Sequence, residues 1–241
     1  MRSRIAASGL VTRVALLLLP VAAHPQAYGP YDPYGPGYGS SPGSSSSATG
    51  GGSSTIDVKA QGDPFAGGLG FAPASVSARV GQKVRWTNTD QLVPHTATEA
   101  HRLWDLTGTY GTGQEGSTGF GPGEPRERAF DAGTQHYFCK VHPAQMQGVV
   151  RVPVTVKRGR LAGGRRGIKV TWSAGAPGQG LAFDVQLRRG RRWTAWKTGT
   201  ASAYATARVP RRARWAFRAR FRKASDAGAA TDWSPPVSVR G

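Results

Sequence analysis

"HYFCKVHPAQM", residues 136–146, is the stretch on which the reading of this chain turns. It holds Cys139, the single cysteine among 241 residues, and Met146, the only methionine besides the initiator. His142 lies between them. A thiolate, an imidazole and a thioether form a soft-to-borderline donor set. Two imidazoles and a thiolate in a trigonal array, with a long axial methionine sulfur, suit copper cycling between Cu(I) and Cu(II). That set needs a second histidine. His95, in "QLVPHTATEAH" (91–101), sits where one strand-like run ends and another begins, 44 residues before Cys139. Only a fold that brings distant strands together can join the two. A lone cysteine is ordinarily a small hydrophobe, and a histidine beside a proline is ordinarily a loop residue. It is their joint placement that points to a metal.

Around this stretch the text from Ile56 to Val156 consists of short alternating or β-branched runs: "IDVKA", "SVSARV", "KVRWTN", "HTAT", "RERAF", "HYFC" and "VVRVPVTV". Gly and Pro clusters separate them, and no long 3.6-residue period occurs. The pattern predicts an antiparallel β-sandwich.

"GFAPASVSARVGQKVRWTNTDQLVPHTAT" (70–98) and "GPGEPRERAFDAGTQHYFCKVHPAQMQGVVRV" (121–152) together resemble the plastocyanin-like cupredoxins, the small blue-copper proteins. The matching motifs are Val-Gly-x-x-Val-x-Trp-x-Asn, Pro-His-Thr, Tyr-x-Cys-x-x-His-Pro and Met-x-Gly. The resemblance implies a Greek-key cupredoxin sandwich and one type 1 copper ion held by His95, Cys139, His142 and Met146. The loop departs from the family pattern. It reads C-x2-H-x3-M, where relatives commonly carry two or four residues between His and Met, so Met146 is the ligand position the loop length most affects. Thr96, directly after His95, either ties the two ligand-bearing loops together or is an ordinary strand threonine. His101 and His136 are expected on the solvated surface; three residues before Cys139, His136 faces the other side of its strand.

After residues 158–167, "RGRLAGGRRG", which read as a hinge, a second all-β unit follows. "IKVTWSA", "AFDVQLRRGRRWTAWKTGT", "ARWAFRARFRKASDAG" and "TDWSPPV" resemble a fibronectin type III domain. In that pattern Trp172, Phe183, Trp196, Phe217 and Trp233 are core positions, and Trp215 stands where the family has a corner tyrosine. The expected organisation is a signal peptide over 1–23, a Gly/Pro/Tyr/Ser-rich disordered linker over 24–54, the copper domain over 55–156 and the basic fibronectin-like domain over 157–241.

Charge divides sharply between these parts. From Lys157 onward there are 20 Lys and Arg against 3 Asp and Glu, whereas His24 to Val156 carries 9 against 10. The second domain is therefore expected to meet an anionic partner, either a cell-envelope polymer or a lipid surface. Genome composition is the competing explanation, because 25 of the 32 basic residues are arginine. No nucleic-acid motif is present, and nucleic acid is not an expected partner.

Arg2, Arg4 and Arg13 precede a short apolar run, Val14–Ala23, with small residues for cleavage. At about ten residues it is shorter than the roughly 20 that a membrane span needs. The expected product is secreted or extracytoplasmic, in a periplasm or at a cell surface, with no transmembrane segment in the mature chain. A cysteine without a partner in such a compartment suits a ligand. The expected function is single-electron transfer to a redox partner protein. Copper storage or delivery, and adhesion with an incidental copper site, are the alternatives. An enzyme is not expected, because copper oxidases and reductases need further histidine-rich sites and the chain has five histidines.

Overall fold

The alternation read from the sequence is realised as strands whose inward residues are apolar. In β1 (Ile56–Asp63) Val58 and Ala60 point inward, and in β4 (Lys83–Asn88) Val84, Trp86 and Asn88 do. The computed structural model describes residues 54–63, 67–107, 119–161, 164, 166–208, 210 and 213–240. The expected signal peptide and all of the expected linker except Ser54 lie outside the described residues. No α-helix occurs among the described residues, and the fold class is all-β.

Two four-stranded sheets make the first sandwich. One has the order β2 (Gly67–Ala72), β1, β4, β6 (Pro125–Ala129); the other has β3 (Ser75–Ser77), β8 (Gln147–Val152), β7 (Gly133–Phe138), β5 (Thr98–Glu99). The β1–β4 and β3–β8 pairs are parallel, so the chain crosses between sheets instead of running as a simple meander. Aromatic rings fill the space between the sheets. Trp86 meets Tyr137 edge-on at 5.4 Å, Trp104 meets Phe130 edge-on at 5.6 Å, and Phe71 lies 4.8 Å from Tyr137. Edge-to-face pairs of this kind contribute roughly 0.5–1.5 kcal/mol each beyond their buried area.

The second sandwich stacks a three-stranded sheet, β13 (Tyr204–Ala207), β10 (Arg166–Thr171), β9 (Thr155–Arg160), on a four-stranded one. The latter runs β12 (Arg192–Thr200), β11 (Leu181–Arg189), β14 (Arg214–Lys223), β15 (Val237–Arg240). Trp172, Phe183, Trp215, Phe217 and Phe221 are buried in it. β9 already begins at Thr155, and the Gly/Arg-rich stretch expected to be a hinge forms the β9–β10 hairpin, with Arg158 opposite Ile168 and Arg160 opposite Arg166. Gly167 permits this, since a Cβ there would collide with the Leu161 side chain.

Backbone hydrogen bonds tie the two sandwiches together. Thr134 and Asp232 exchange both N–H···O bonds, at 3.0 and 3.1 Å, and the Ala132 N–H donates to the Trp172 carbonyl at 2.8 Å. The Thr134 hydroxyl donates to the Trp233 carbonyl at 3.0 Å. Gly133 sits at this seam, where a Cβ would be 2.9 Å from Thr231 Oγ1. The described residues of both sandwiches accordingly belong to one compact unit.

Candidate metal centre

The donors come from chain segments that leave the first sandwich at one end. β4 stops at Asn88, and the following loop carries His95. β7 stops at Phe138, and Cys139 is the next residue. Met146 directly precedes β8, and His142 lies in the loop between them.

Each segment is held by specific bonds. The Asn88 side-chain amide donates to the carbonyls of Val93 (2.9 Å) and Phe120 (3.0 Å), and its oxygen accepts the Asp90 N–H at 2.8 Å. His95 exchanges backbone bonds with Phe120 at 3.2 and 2.8 Å. The second loop closes on itself: the Cys139 N–H donates to the Met146 carbonyl at 3.0 Å, and the Met146 N–H donates to the His142 carbonyl at 2.9 Å. Thr96 joins the two loops. Its N–H points at Cys139 Sγ from 3.3 Å, and its hydroxyl accepts the Lys140 N–H at 2.8 Å.

His95, Cys139 and Met146 are fully buried, and His142 is half-buried. One nitrogen from each histidine and the Cys139 sulfur all lie within 4.8 Å of one another, with His95 Nδ1 3.7 Å from the sulfur. Nitrogen and sulfur donors stand roughly 2.0–2.3 Å from a bound zinc, so a trio sharing an ion of that size spans up to about 4.6 Å. The cluster is close to that size. His142 Nδ1 is buried and has no hydrogen-bond partner. An orphaned buried nitrogen is costly unless something satisfies it, as a metal shared with Cys139 and His95 would.

Sequence reading missed Asp90. Its buried carboxylate Oδ2 lies 3.4 Å from His95 Nε2, within ion-pair range though long for a hydrogen bond. Neither atom has a hydrogen-bond partner. Asp90 Oδ1 is aimed by the N–H groups of Leu92 (2.9 Å) and Val93 (3.3 Å). A proton on His95 Nε2 facing this carboxylate leaves Nδ1 bare toward the cluster, the tautomer a ligand needs. Burial, followed by the neighbouring His142, pushes the His95 pKa down despite Asp90. The ring is thereby kept neutral and able to coordinate. Burial pushes the Asp90 carboxyl up, but the Leu92 and Val93 amides and His95 outweigh it and hold the group below the ordinary carboxylate range. The sequence offered no sign of Asp90 beyond a polar triplet after a strand.

Among the described residues the other two histidines are partly exposed and paired: His101 Nδ1 lies 3.3 Å from Glu99, and His136 Nε2 lies 3.3 Å from Asp232.

Residues 56–153 match the family model described as copper binding proteins, plastocyanin/azurin family. A comparison with curated proteins finds no match. Among solved structures, a purple cupredoxin from Nitrosopumilus maritimus is 23% identical, with 40% of this chain and 98% of that one covered and a TM-score of 0.30. A copper-containing nitrite reductase from Thermus scotoductus is 22% identical at a TM-score of 0.28; the match takes in 41% of this chain and 22% of the reductase. Amicyanin from Paracoccus versutus is 21% identical at a TM-score of 0.27, over 41% of this chain and 80% of amicyanin. The family match and the donor trio support a cupredoxin domain in this part of the chain, and the trio is compatible with a single type 1 copper site.

Proposed function

We propose that the chain is an exported mononuclear blue-copper protein that carries single electrons to and from a redox partner protein. The observation that carries the proposal is the convergence of His95, Cys139 and His142, beside which His142 Nδ1 is buried without a hydrogen-bond partner. Copper bound there supplies a Cu(I)/Cu(II) couple.

The chain's own residues do the rest. Burial of Cys139 and His95 excludes water from the thiolate and from one imidazole. The bonds through Thr96, Asn88 and the Cys139–Met146 pair hold the donors on a rigid frame, so little needs to move when the oxidation state changes. Met146, placed at the foot of β8, would supply a fourth, thioether donor. His142 is the donor nearest solvent and the proposed point of electron exit. The ligand loops also carry Leu92 (73% exposed) and Val141 (43%), two of the three large apolar side chains exposed among the described residues. These give a partner an apolar surface for brief docking.

Export rests on the reading of residues 1–23. We read the second sandwich as a fibronectin type III-like spacer that also retains the protein at an anionic cell envelope. Its three-plus-four strand arrangement and its excess of arginine support that role. No helix among the described residues is long and apolar enough to cross a membrane.

The test is the visible and EPR spectrum of the purified protein with Cu(II). An intense thiolate-to-copper band, lost in Cys139→Ser, is the expected result; a colourless Cu(II) complex of the folded wild type overturns the proposal.

A further inference from the structure

The strongest unexplained feature lies on the second sandwich, on the face of the β12-β11-β14 sheet that points away from its core. Val185, Leu187, Phe217 and Ala219 face inward, so the alternating residues Asp184, Gln186 and Arg188 of β11 and Arg218 and Arg220 of β14 share the outer face. Two indoles separate the guanidinium groups. Arg188 lies 4.8 Å from the centroid of Trp193, and Arg218 lies 4.2 Å from the same ring. Arg218 is also 4.8 Å from Trp233, whose ring lies 4.7 Å from Arg220. The order Arg188–Trp193–Arg218–Trp233–Arg220 is a continuous ladder. Trp233, expected in the core, is instead half-buried between two arginines, and its carbonyl is the one fixed by Thr134 of the first sandwich.

The ladder is under-compensated. Asp184 pairs with Arg220 and Arg222, each at 3.2 Å. Arg218 instead donates from Nε and Nη2 to the neutral Gln186 Oε1, at 2.9 and 2.7 Å. No carboxylate pairs with Arg188 or Arg218 among the described residues. Burial, then the neighbouring charges of Arg188 and Arg220, pushes the Arg218 pKa down, as expected of cations gathered without counter-charge. The indoles hold the guanidinium groups in place; Nε and Nη2 of Arg218 are taken by Gln186 and those of Arg220 by Asp184, so the edges left for an anion are that of Arg188 and the Nη1 sides of Arg218 and Arg220. A guanidinium edge is the fork that binds phosphate or sulfate oxygens two at a time.

We propose that this arginine–tryptophan ladder is the binding surface for a linear polyanion bearing phosphate or sulfate groups. The proposal rests on the reading of the second sandwich as a retention module and names the surface that retains. Arg218 and Arg220 stand two residues apart on one strand, roughly 7 Å, and Arg188, opposite Ala216 on the adjoining strand, is diagonal to Arg218 at roughly 7–8 Å. A row of fixed cations at such intervals matches a polymer with regularly repeated charges. The ladder does not suit a lipid surface: the exposed large apolar residues among those described are Leu92, Val141 and Tyr204, none of them on this face, so nothing here inserts into a bilayer.

The test compares full-length variants for binding to long-chain polyphosphate and to dextran sulfate at physiological ionic strength. Arg188→Gln with Arg218→Gln removes two ladder cations. Arg158→Gln with Arg160→Gln removes the same charge from exposed positions on β9. Arg188→Lys with Arg218→Lys keeps the charge and loses the stacked fork; it also stands in if the Gln pair fails to fold by circular dichroism. The ladder Gln pair is expected to weaken binding about tenfold and the β9 pair less than about threefold, with the Lys pair close to the ladder Gln pair. Equal losses in the ladder and β9 pairs overturn the ladder assignment while retention by net charge stands. Failure of the wild type to bind either polymer overturns both. Tighter binding to anionic vesicles or to duplex DNA than to the polymers overturns the choice of occupant.

Discussion

The Thr96 N–H is directed at Cys139 Sγ from 3.3 Å while the Thr96 hydroxyl accepts the Lys140 N–H at 2.8 Å, so one residue grips both the sulfur and the chain that carries it. Thr96→Val keeps the shape and the backbone N–H but leaves the Lys140 amide without this acceptor. Stability is expected to fall by about 1 kcal/mol, measured by urea unfolding, with the thiolate-to-copper band retained. Unchanged stability makes Thr96 an ordinary strand residue.

Asp90 and His95 form the second relationship at the site, at 3.4 Å. Asp90→Asn retains an oxygen for the Leu92 and Val93 amides but removes the charge. A negative charge favours Cu(II) over Cu(I), so its loss is expected to raise the reduction potential. Cu(II) binding is expected to weaken about tenfold. Voltammetry and competitive titration read the two effects, and an unaltered potential shows that the carboxylate does not act on the metal.

Met146 is buried, so Met146→Leu preserves most of the packing, at a cost expected below about 1.5 kcal/mol. Copper is expected to stay bound by the other three donors while the potential moves. A potential identical to wild type shows that the Met146 sulfur is not a ligand.

Gly133→Ala tests the seam between the sandwiches. Its new Cβ would meet Thr231 Oγ1 at 2.9 Å, closer than unstrained carbon contacts allow. A loss of roughly 1–3 kcal/mol is expected in thermal or urea unfolding. Wild-type stability would show that the Thr134–Asp232 bridge yields without cost.

Local chemistry carried much of this protein into view before any coordinates. Period-two alternation in "KVRWTN" and "HYFC" marked strands, because a strand with one buried face must alternate. The metal donors were legible because a single thiol, a single internal thioether and a histidine crowded into 136–146 are rare residues whose chemistry coincides. His95 needed the motif around it, since nothing local says which distant loop a strand will meet. What only the tertiary structure decided were relationships between segments far apart in the chain. Asp90 became the partner of His95 through loop geometry set by Asn88 and Phe120. The expected hinge became a hairpin because the residues flanking it found register with each other. Trp233 lies outside the expected core, between Arg218 and Arg220 of one strand. Period and composition report which way one residue faces. They do not report which residues of another strand it faces, because that depends on sheet order and register, fixed by burial and hydrogen bonding across the whole chain.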